Sequence, residues 1–529
     1  MTDNMLKNPK KIPIGEQDFE SLIKNGKFYL DKTNKIYELL QIGSKYNFFS
    51  RPRRFGKSLM LSVMKNILLG KKELFKGLFI YDKWDFEQFP VMYISLAGYS
   101  KDKDLKEHIK NYGKIYFDNK EKLINDFRFF DLGLILRQVS QSTGKQVVVL
   151  IDEYDKPVLA NLQNYKIAEE IRIFFSDFYS TIKDSDEYIK LFFLTGLTKL
   201  MKMNIFSVLN NLDDISFDRR FCDLIGYTQE EVENNFSEEI EIIAELYNMK
   251  YRQFLEEIKT EYNGFNFGGN KLLYNPWDIN NFITKQRLGY YWADTGIPGS
   301  IRDFVHTTPV DIKVLIDKVR VNKLVVSEMD LKVHDLNKLK PEVLLFNAGY
   351  LTINKEDERK RRYKLKFPNN ETEQVMMEYF LDLSLNKKYN TYDWEQASEK
   401  IISGIFGKNQ KLIQKGISYL INNVLEHIAY DWLNENPEGW LKTMVGIAII
   451  MNNVYYVAEN QNIIGRNDLH IPKDKTVYIL ELKINENADS CIKQIEKKYE
   501  ANYQQNFQEI VKIGINWNRN KNEVQVIVV

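Results

Sequence analysis

Apolar and polar positions repeat along the chain with two different periods, and the changes of period mark out its segments. A helical pattern runs through Ile36, Leu39 and Leu40. The apolar run at residues 46–49 then reads as a strand, enters R-P-R-R-F-G-K-S directly, and is followed by L-M-L-S-V-M-K-N-I-L at helical spacing. The order is strand, loop, helix. Further strands are predicted at residues 91–95, 146–153 and 191–195, with a polar helical stretch around 103–117 after the first of them. Strands alternating with helices in this way imply a parallel sheet covered on both faces.

From about residue 228 the apolar strands give way to charged helical periodicity, including residues 238–247. A hairpin is predicted where 349–353 and 363–365 flank E-D-E-R-K-R-R, and it would end a winged-helix-like module. A helical stretch at about 371–424 leads to a last segment, with strands at 454–458, 477–481, 510–516 and 524–529 and a helix at 489–503. The expected division is residues 11–225, a parallel-sheet domain; 226–370, a helical lid with a winged-helix-like region; 371–434, a helical connector; and 435–529, a smaller α/β domain. The whole is an α/β multidomain chain.

Composition agrees with several folded domains, since 529 residues exceed what one core organises, and 44% hydrophobic with 13% aromatic residues can fill more than one. Lys plus Arg (74) nearly cancel Asp plus Glu (73), so net charge gives no argument for nucleic-acid binding and partners must be sought in local sites. The two cysteines, Cys222 and Cys491, and five scattered histidines exclude a disulfide framework or a Cys/His zinc site. Residues 1–11 are polar and no apolar run approaches the ~18–20 residues that span a bilayer, so a cytoplasmic protein without membrane attachment is expected.

A triphosphate concentrates negative charge, so its binding loop needs inward-pointing backbone N–H groups, a glycine that permits close approach, and a fixed cation. Gly56-Lys57-Ser58 supplies them: Lys57 for the β- and γ-phosphates, Ser58 for Mg²⁺, and the helix start for its dipole. The pattern G-x-x-x-x-G-K-[ST] would put glycine at position 51, where this chain has Arg51; Arg53, Arg54 and Phe55 complete the loop. A bare G-K-[ST] arises by chance in roughly one chain of this length in four, so its context carries the weight. V-V-V-L-I-D-E-Y-D ends a strand on Asp152, an acid for Mg²⁺, and Glu153, a carboxylate to orient or deprotonate the attacking water. Thr195, ending the next strand, is placed to sense the γ-phosphate.

I-P-I-G, D-K-T, R-P-R-R-F-G-K-S, V-L-I-D-E-Y-D, T-G-L-T-K, F-S-V-L-N-N-L-D-D-I and Y-N-P-W-D together resemble the AAA-ATPase-like family that is often fused to a PD-(D/E)XK nuclease domain, over most of residues 11–285. In that family R-P-R-R-F-G-K-S is the usual phosphate loop, which accounts for Arg51. The resemblance implies a P-loop NTPase fold, phosphate binding at Gly56, Lys57 and Ser58, and metal or water roles for Asp152 and Glu153. Arg219 and Arg220 are candidates for an arginine finger by position only.

Phosphodiester cleavage needs metal ions held by carboxylates and a group that positions water. Along V-Y-I-L-E-L-K side chains alternate, so Glu481 and Lys483 face the same side, while Asp468 precedes them on a neighbouring antiparallel strand across the turn-like P-K-D-K. N-P-E-G-W, G-R-N-D, E-L-K, K-Q-I-E-K-K-Y and I-G-I-N-W resemble the PD-(D/E)XK nuclease-like domain of this family, across about residues 435–529. That likeness implies Asp468 and Glu481 as metal ligands, Lys483 as the water-positioning cation, Glu438 as a helix carboxylate completing the site, and Gln494 as a contact to DNA or to the active-site strand.

Two functions follow from these sites. One is ATP hydrolysis governing an Mg²⁺-dependent DNA nuclease, in mobile-element or defence biology; the other is a nucleotide-switched nucleic-acid-binding or signalling protein that does not cut. ATP and Mg²⁺ are the expected small ligands and DNA the expected macromolecular partner, with self-association left open.

Overall fold

A computed structural model describes residues 10–42, 44–100, 104–118, 120–127, 131–162, 164–198, 209, 211–269, 271–292, 315, 318–319, 323–331, 340–384, 391–424, 437–450, 452, 454, 457–458, 461–462, 465–466, 469–498, 503 and 507–529. Two units separate by their internal packing. The first is Met1–Val310 with Val325–Glu371, the second Asp311–Leu324 with Thr372–Val529.

The first unit is organised by a seven-stranded sheet whose strands are β1 (Tyr46–Ser50), β2 (Val91–Ser95), β3 (Lys114–Phe117), β4 (Lys120–Leu123), β5 (Val147–Asp152), β6 (Ile189–Gly196) and β7 (Asp213–Asp214), in the order β4-β3-β2-β5-β6-β1-β7. Burial on both faces explains the apolar run 147–151 of β5. Val147, Val149 and Ile151 join a core that includes Leu136 and Tyr179 from two covering helices. Val148 and Leu150 join a core on the other face with Leu61 and Met64 of the helix after β1.

The sheet is mixed, which corrects the expectation of a parallel one. β2, β5, β6, β1 and β7 run parallel, but β3 pairs antiparallel with β2, and β4 antiparallel with β3. The polar stretch around 103–117 is a helix only over Leu105–Tyr112; it then turns into the edge hairpin, whose K-I-Y-F is too short to show a period and whose K-E-K-L is too polar to announce a strand. Charged side chains at a sheet edge discourage further pairing, so this polarity suits the position.

Helices Gln229–Leu246, Tyr251–Tyr262 and Pro276–Lys285 follow around a core of their own, with Phe236, Ile240, Phe254 and Phe282 buried in it. The expected hairpin forms from Thr352–Asp357 and Arg362–Lys366, and Val325–Ser327 adds a third antiparallel strand.

In the second unit a five-stranded sheet is built on Thr476–Ile484, antiparallel to Leu469–Lys473 and parallel to Glu509–Asn518. The turn between the first pair places Asp474 at a φ of 53°, and helix Ala488–Lys498 makes the crossover between the parallel pair. Among the described residues no helix is long and apolar enough to cross a membrane.

Candidate functional site

Parallel pairing brings several strand ends together: Ser50 lies beside Gly196, Phe49 beside Thr195, Ser95 beside Asp152, and Ile151 beside Leu194. The loop after β1 therefore opens at the carboxyl edge of the sheet, where open α/β sheets bind ligands. Gly56, at φ 99°, caps helix Lys57–Leu68 in a left-handed conformation that suits glycine alone.

Each residue of the loop has its own anchor. Arg51, only 2% exposed, points away from the loop mouth. Its guanidinium lies between the rings of Phe49 (4.4 Å) and Phe267 (4.3 Å) and donates to the carbonyls of Ser50 (2.8 Å) and Ser216 (2.7 Å), with longer bonds to those of Phe221 and Cys222. An arginine at the usual glycine position thus serves the fold. Arg53 has an exposed side chain, and its carbonyl accepts from Trp292 Nε1 at 3.2 Å. Arg54 takes a φ of 66° and stacks its guanidinium 4.2 Å from the Trp277 ring. Phe55 is buried between Phe265 and Phe267, so its backbone is what faces the loop. Lys57 Nζ donates to the carbonyls of Arg51 (2.8 Å) and Pro52 (2.9 Å). Burial pulls its pKa down, against the charges of Glu153, Asp152 and Asp155.

Opposite the loop, Asp152 is held from two sides. Ser58 Oγ donates to its Oδ2 at 2.5 Å, and Thr195 Oγ1 donates to its Oδ1 at 2.7 Å. Glu153 follows at a φ of 53°, a left-handed geometry that costs a non-glycine residue about 1 kcal/mol and clusters at functional sites. Its pKa is raised by burial above all and lowered by Lys57.

Asp155, which no role had been assigned from sequence, is buried and accepts from the Leu197 and Thr198 backbone N–H groups and from Thr198 Oγ1 at 2.7 Å. It ties the turn after Thr195 to the acid strand; its only sequence signal was its place in D-E-Y-D. Arg219 and Arg220 are exposed and held by ion pairs, Arg219 with Glu356 and Glu358, Arg220 with Asp218.

A cavity of about 350 Å³ adjoins the loop. Its wall combines residues 53–58, Glu153 and Lys156 with the apolar side chains of Leu22, Leu30, Ile36, Leu224, Ile225 and Trp277. That mixture fits a ligand with an anionic tail and a flat apolar head. The hydroxyl of Ser58 beside the Asp152 carboxylate is a hard-oxygen donor set that suits Mg²⁺.

In the second unit four of the five residues read from sequence meet. Glu481 is fully buried on the central strand, and Lys483 Nζ lies 3.9 Å from its Oε1 and 3.6 Å from Glu438 Oε1. Glu438 stands in the first turn of helix Pro437–Ile450 and also pairs with Lys442 at 2.9 Å. Gln494, from the crossover helix, donates to Glu481 Oε1. Asp468 lies outside the described residues. Among the described residues no group of three or more His, Cys, Asp or Glu side chains gathers as a metal cage. His470 is buried in its strand and bonded to the Tyr503 hydroxyl, with its pKa pushed down to about 4 by burial.

Comparison with known proteins finds a family match for each of the two regions. Residues 13–206 match the family described as "Predicted AAA-ATPase", and residues 436–526 match the PD-(D/E)XK nuclease superfamily. The "Uncharacterized protein in vnfD 5'region" of Azotobacter chroococcum mcd 1 is 31% identical over 539 aligned positions, covering 98% of this chain and 99% of the relative. The chain belongs to this family of AAA-ATPase-like proteins with a C-terminal PD-(D/E)XK nuclease-like domain. The solved structure of a Walker-type ATPase of Pyrococcus abyssi covers 70% of this chain and 99% of its own, at 13% identity and a TM-score of 0.33, a likeness too slight to build on.

Proposed function

We propose that the first unit binds and hydrolyses ATP and that the second is a Mg²⁺-dependent nuclease whose action on DNA follows the nucleotide state. The observation that carries the first half is the Asp152 carboxylate, held between Ser58 at the head of the loop helix and Thr195 at the end of the neighbouring strand.

In this reading Lys57 exchanges the Arg51 and Pro52 carbonyls for phosphate oxygens, a trade favoured by charge because neutral acceptors give way to anionic ones. Ser58 and Asp152 supply oxygen ligands for Mg²⁺. When bound, that ion neutralises charge building up on the phosphates. Glu153 takes a proton from the water that attacks the γ-phosphorus, the bond to the β–γ bridging oxygen breaks, and ADP and phosphate leave. Burial raises the pKa of Glu153, which makes it a stronger base than an exposed carboxylate once it is ionised. Thr195 keeps Asp152 in its rotamer.

Glu481 and Lys483 would divide the second task, the carboxylate holding metal and the ammonium positioning water, with Glu438 at the rim and Asp468 as the further ligand. Incubation of the full chain with Mg²⁺ and single- or double-stranded DNA, with and without ATP, tests this. Cleavage lost in Glu481→Ala and in Lys483→Ala, and altered by Lys57→Ala, is the expected result. DNA binding that responds to ATP without cleavage under any condition would instead establish the non-cutting reading.

A further inference from the structure

Y-N-P-W-D has no part in the chemistry above, yet each of its residues has a placed role. Tyr274 is buried, Asn275 caps helix Pro276–Lys285 by accepting from the Trp277 N–H at 2.9 Å, and Pro276 opens the helix where no backbone donor is needed. Trp277 lies under Arg54 of the phosphate loop at 4.2 Å. Asp278, 0% exposed, faces Glu371, also 0% exposed, which stands in the first turn of helix Asn370–Ser384. Glu371 Oε1 accepts the Trp292 backbone N–H at 2.9 Å, and the Trp292 indole donates in turn to the Arg53 carbonyl at 3.2 Å. Both tryptophans that touch the loop are therefore joined through one pair of carboxyl groups.

We propose that the Asp278–Glu371 pair, acting through Trp277 and Trp292, positions the phosphate loop for its ligand. Two carboxylates this fully buried cannot both keep their charge, whereas one proton between them leaves a single negative charge flanked by two helix N-termini that favour it. Burial first, and the Glu371 charge second, raise the Asp278 pKa well above the carboxylate range, so Asp278 is the partner that holds the proton. Tyr262 and Tyr291 are the other titratable groups of this neighbourhood, and burial keeps the Tyr262 phenol neutral. The arrangement reaches the loop through Arg53 and Arg54 and makes no bond to Asp152 or Glu153 in the contacts above, so these are positioning residues.

The ligand part of this proposal rests on the nucleotide reading of the site; the loop-holding part does not. Hydrogen exchange of residues 51–58 in the full chain reads the latch directly, and titration with ATP·Mg²⁺ reads its consequence. In Trp292→Phe the ring stays and the bond to Arg53 goes: exchange of the loop should rise about tenfold and ATP affinity fall about five- to tenfold, with the melting temperature within ~2 °C of the parent, as loss of one hydrogen bond predicts. Asp278→Asn presents an amide donor to Glu371 in place of the protonated carboxyl and should leave loop exchange and affinity at parental values; Asp278→Leu should lose both.

Unchanged loop exchange in Trp292→Phe, or an Asp278→Asn protein as loose as Asp278→Leu, overturns the proposal whatever the nucleotide result. If the variants change loop exchange as described but the parent binds no nucleoside triphosphate, the latch stands and the nucleotide reading falls.

Discussion

Within the loop R-P-R-R-F-G-K-S the arginines divide between the core and the cavity. Arg51 gives its guanidinium to backbone carbonyls and two aromatic faces, whereas Arg53 and Arg54 border the cavity. Arg51→Met leaves those carbonyls without a donor and should cost about 2–4 kcal/mol in chemical denaturation of the first unit. Arg53→Ala should leave the denaturation midpoint in place and weaken ATP binding severalfold, read by titration. Asp278 makes a pH prediction with a definite sign. A carboxyl whose folded pKa is raised contributes stability in full below the unfolded value of about 3.9 and loses it as pH rises through the folded one, because the unfolded chain releases the proton first. Thermal midpoints recorded from pH 4 upward should therefore fall more steeply for the parent than for Asp278→Asn. Equal slopes would show that Asp278 titrates normally.

At the scale of elements, what the sequence disclosed depended on how local the signal was. The β1 strand, its loop and the following helix were legible because strand period, G-K-S and helix period stand side by side, and Asp152 with Glu153 because they end a fully apolar strand. The reading of 103–117 as one helical stretch takes in β3, whose four residues are too short a run to show a period of their own, and β4 has only backbone pairing to β3 to mark it. Glu481 and Lys483 were legible from alternation on one strand, and Glu438 only through the family likeness, since it arrives from a separate helix. Trp292 and Glu371 gave no local signal; their meaning lies in contacts with residues far away along the chain.

The same holds for Gly349, which ends helix Pro341–Ala348 at a φ of 94° with Pro52 of the loop against it. A Cβ there would stand 2.8 Å from Pro52 Cβ and 3.3 Å from the Trp292 ring. Gly349→Ala should lower stability by about 1–3 kcal/mol and loosen the loop as well, checked by thermal denaturation alongside loop hydrogen exchange. A stable protein with an unchanged loop would show that the close approach is not needed.

Over the whole molecule, the two sites occupy different units and rest on different cores, so loss of the second should leave the first intact. Glu481→Ala should abolish DNA cleavage and leave ATP turnover within about twofold of the parent, because Glu481 is buried in the sheet of the second unit and the nucleotide loop belongs to the first. The two family matches lie in one chain, the first over residues 13–206 and the second over 436–526. Everything proposed for the second unit's control presupposes a working nucleotide site in the first. That claim is tested most directly by measuring ATP·Mg²⁺ binding and hydrolysis together in the parent, Lys57→Ala and Glu153→Gln. The account predicts hydrolysis by the parent, binding weakened at least about a hundredfold in Lys57→Ala, and parental binding with turnover reduced about 10²–10⁴-fold in Glu153→Gln. Parental affinity in Lys57→Ala, or parental turnover in Glu153→Gln, would contradict it.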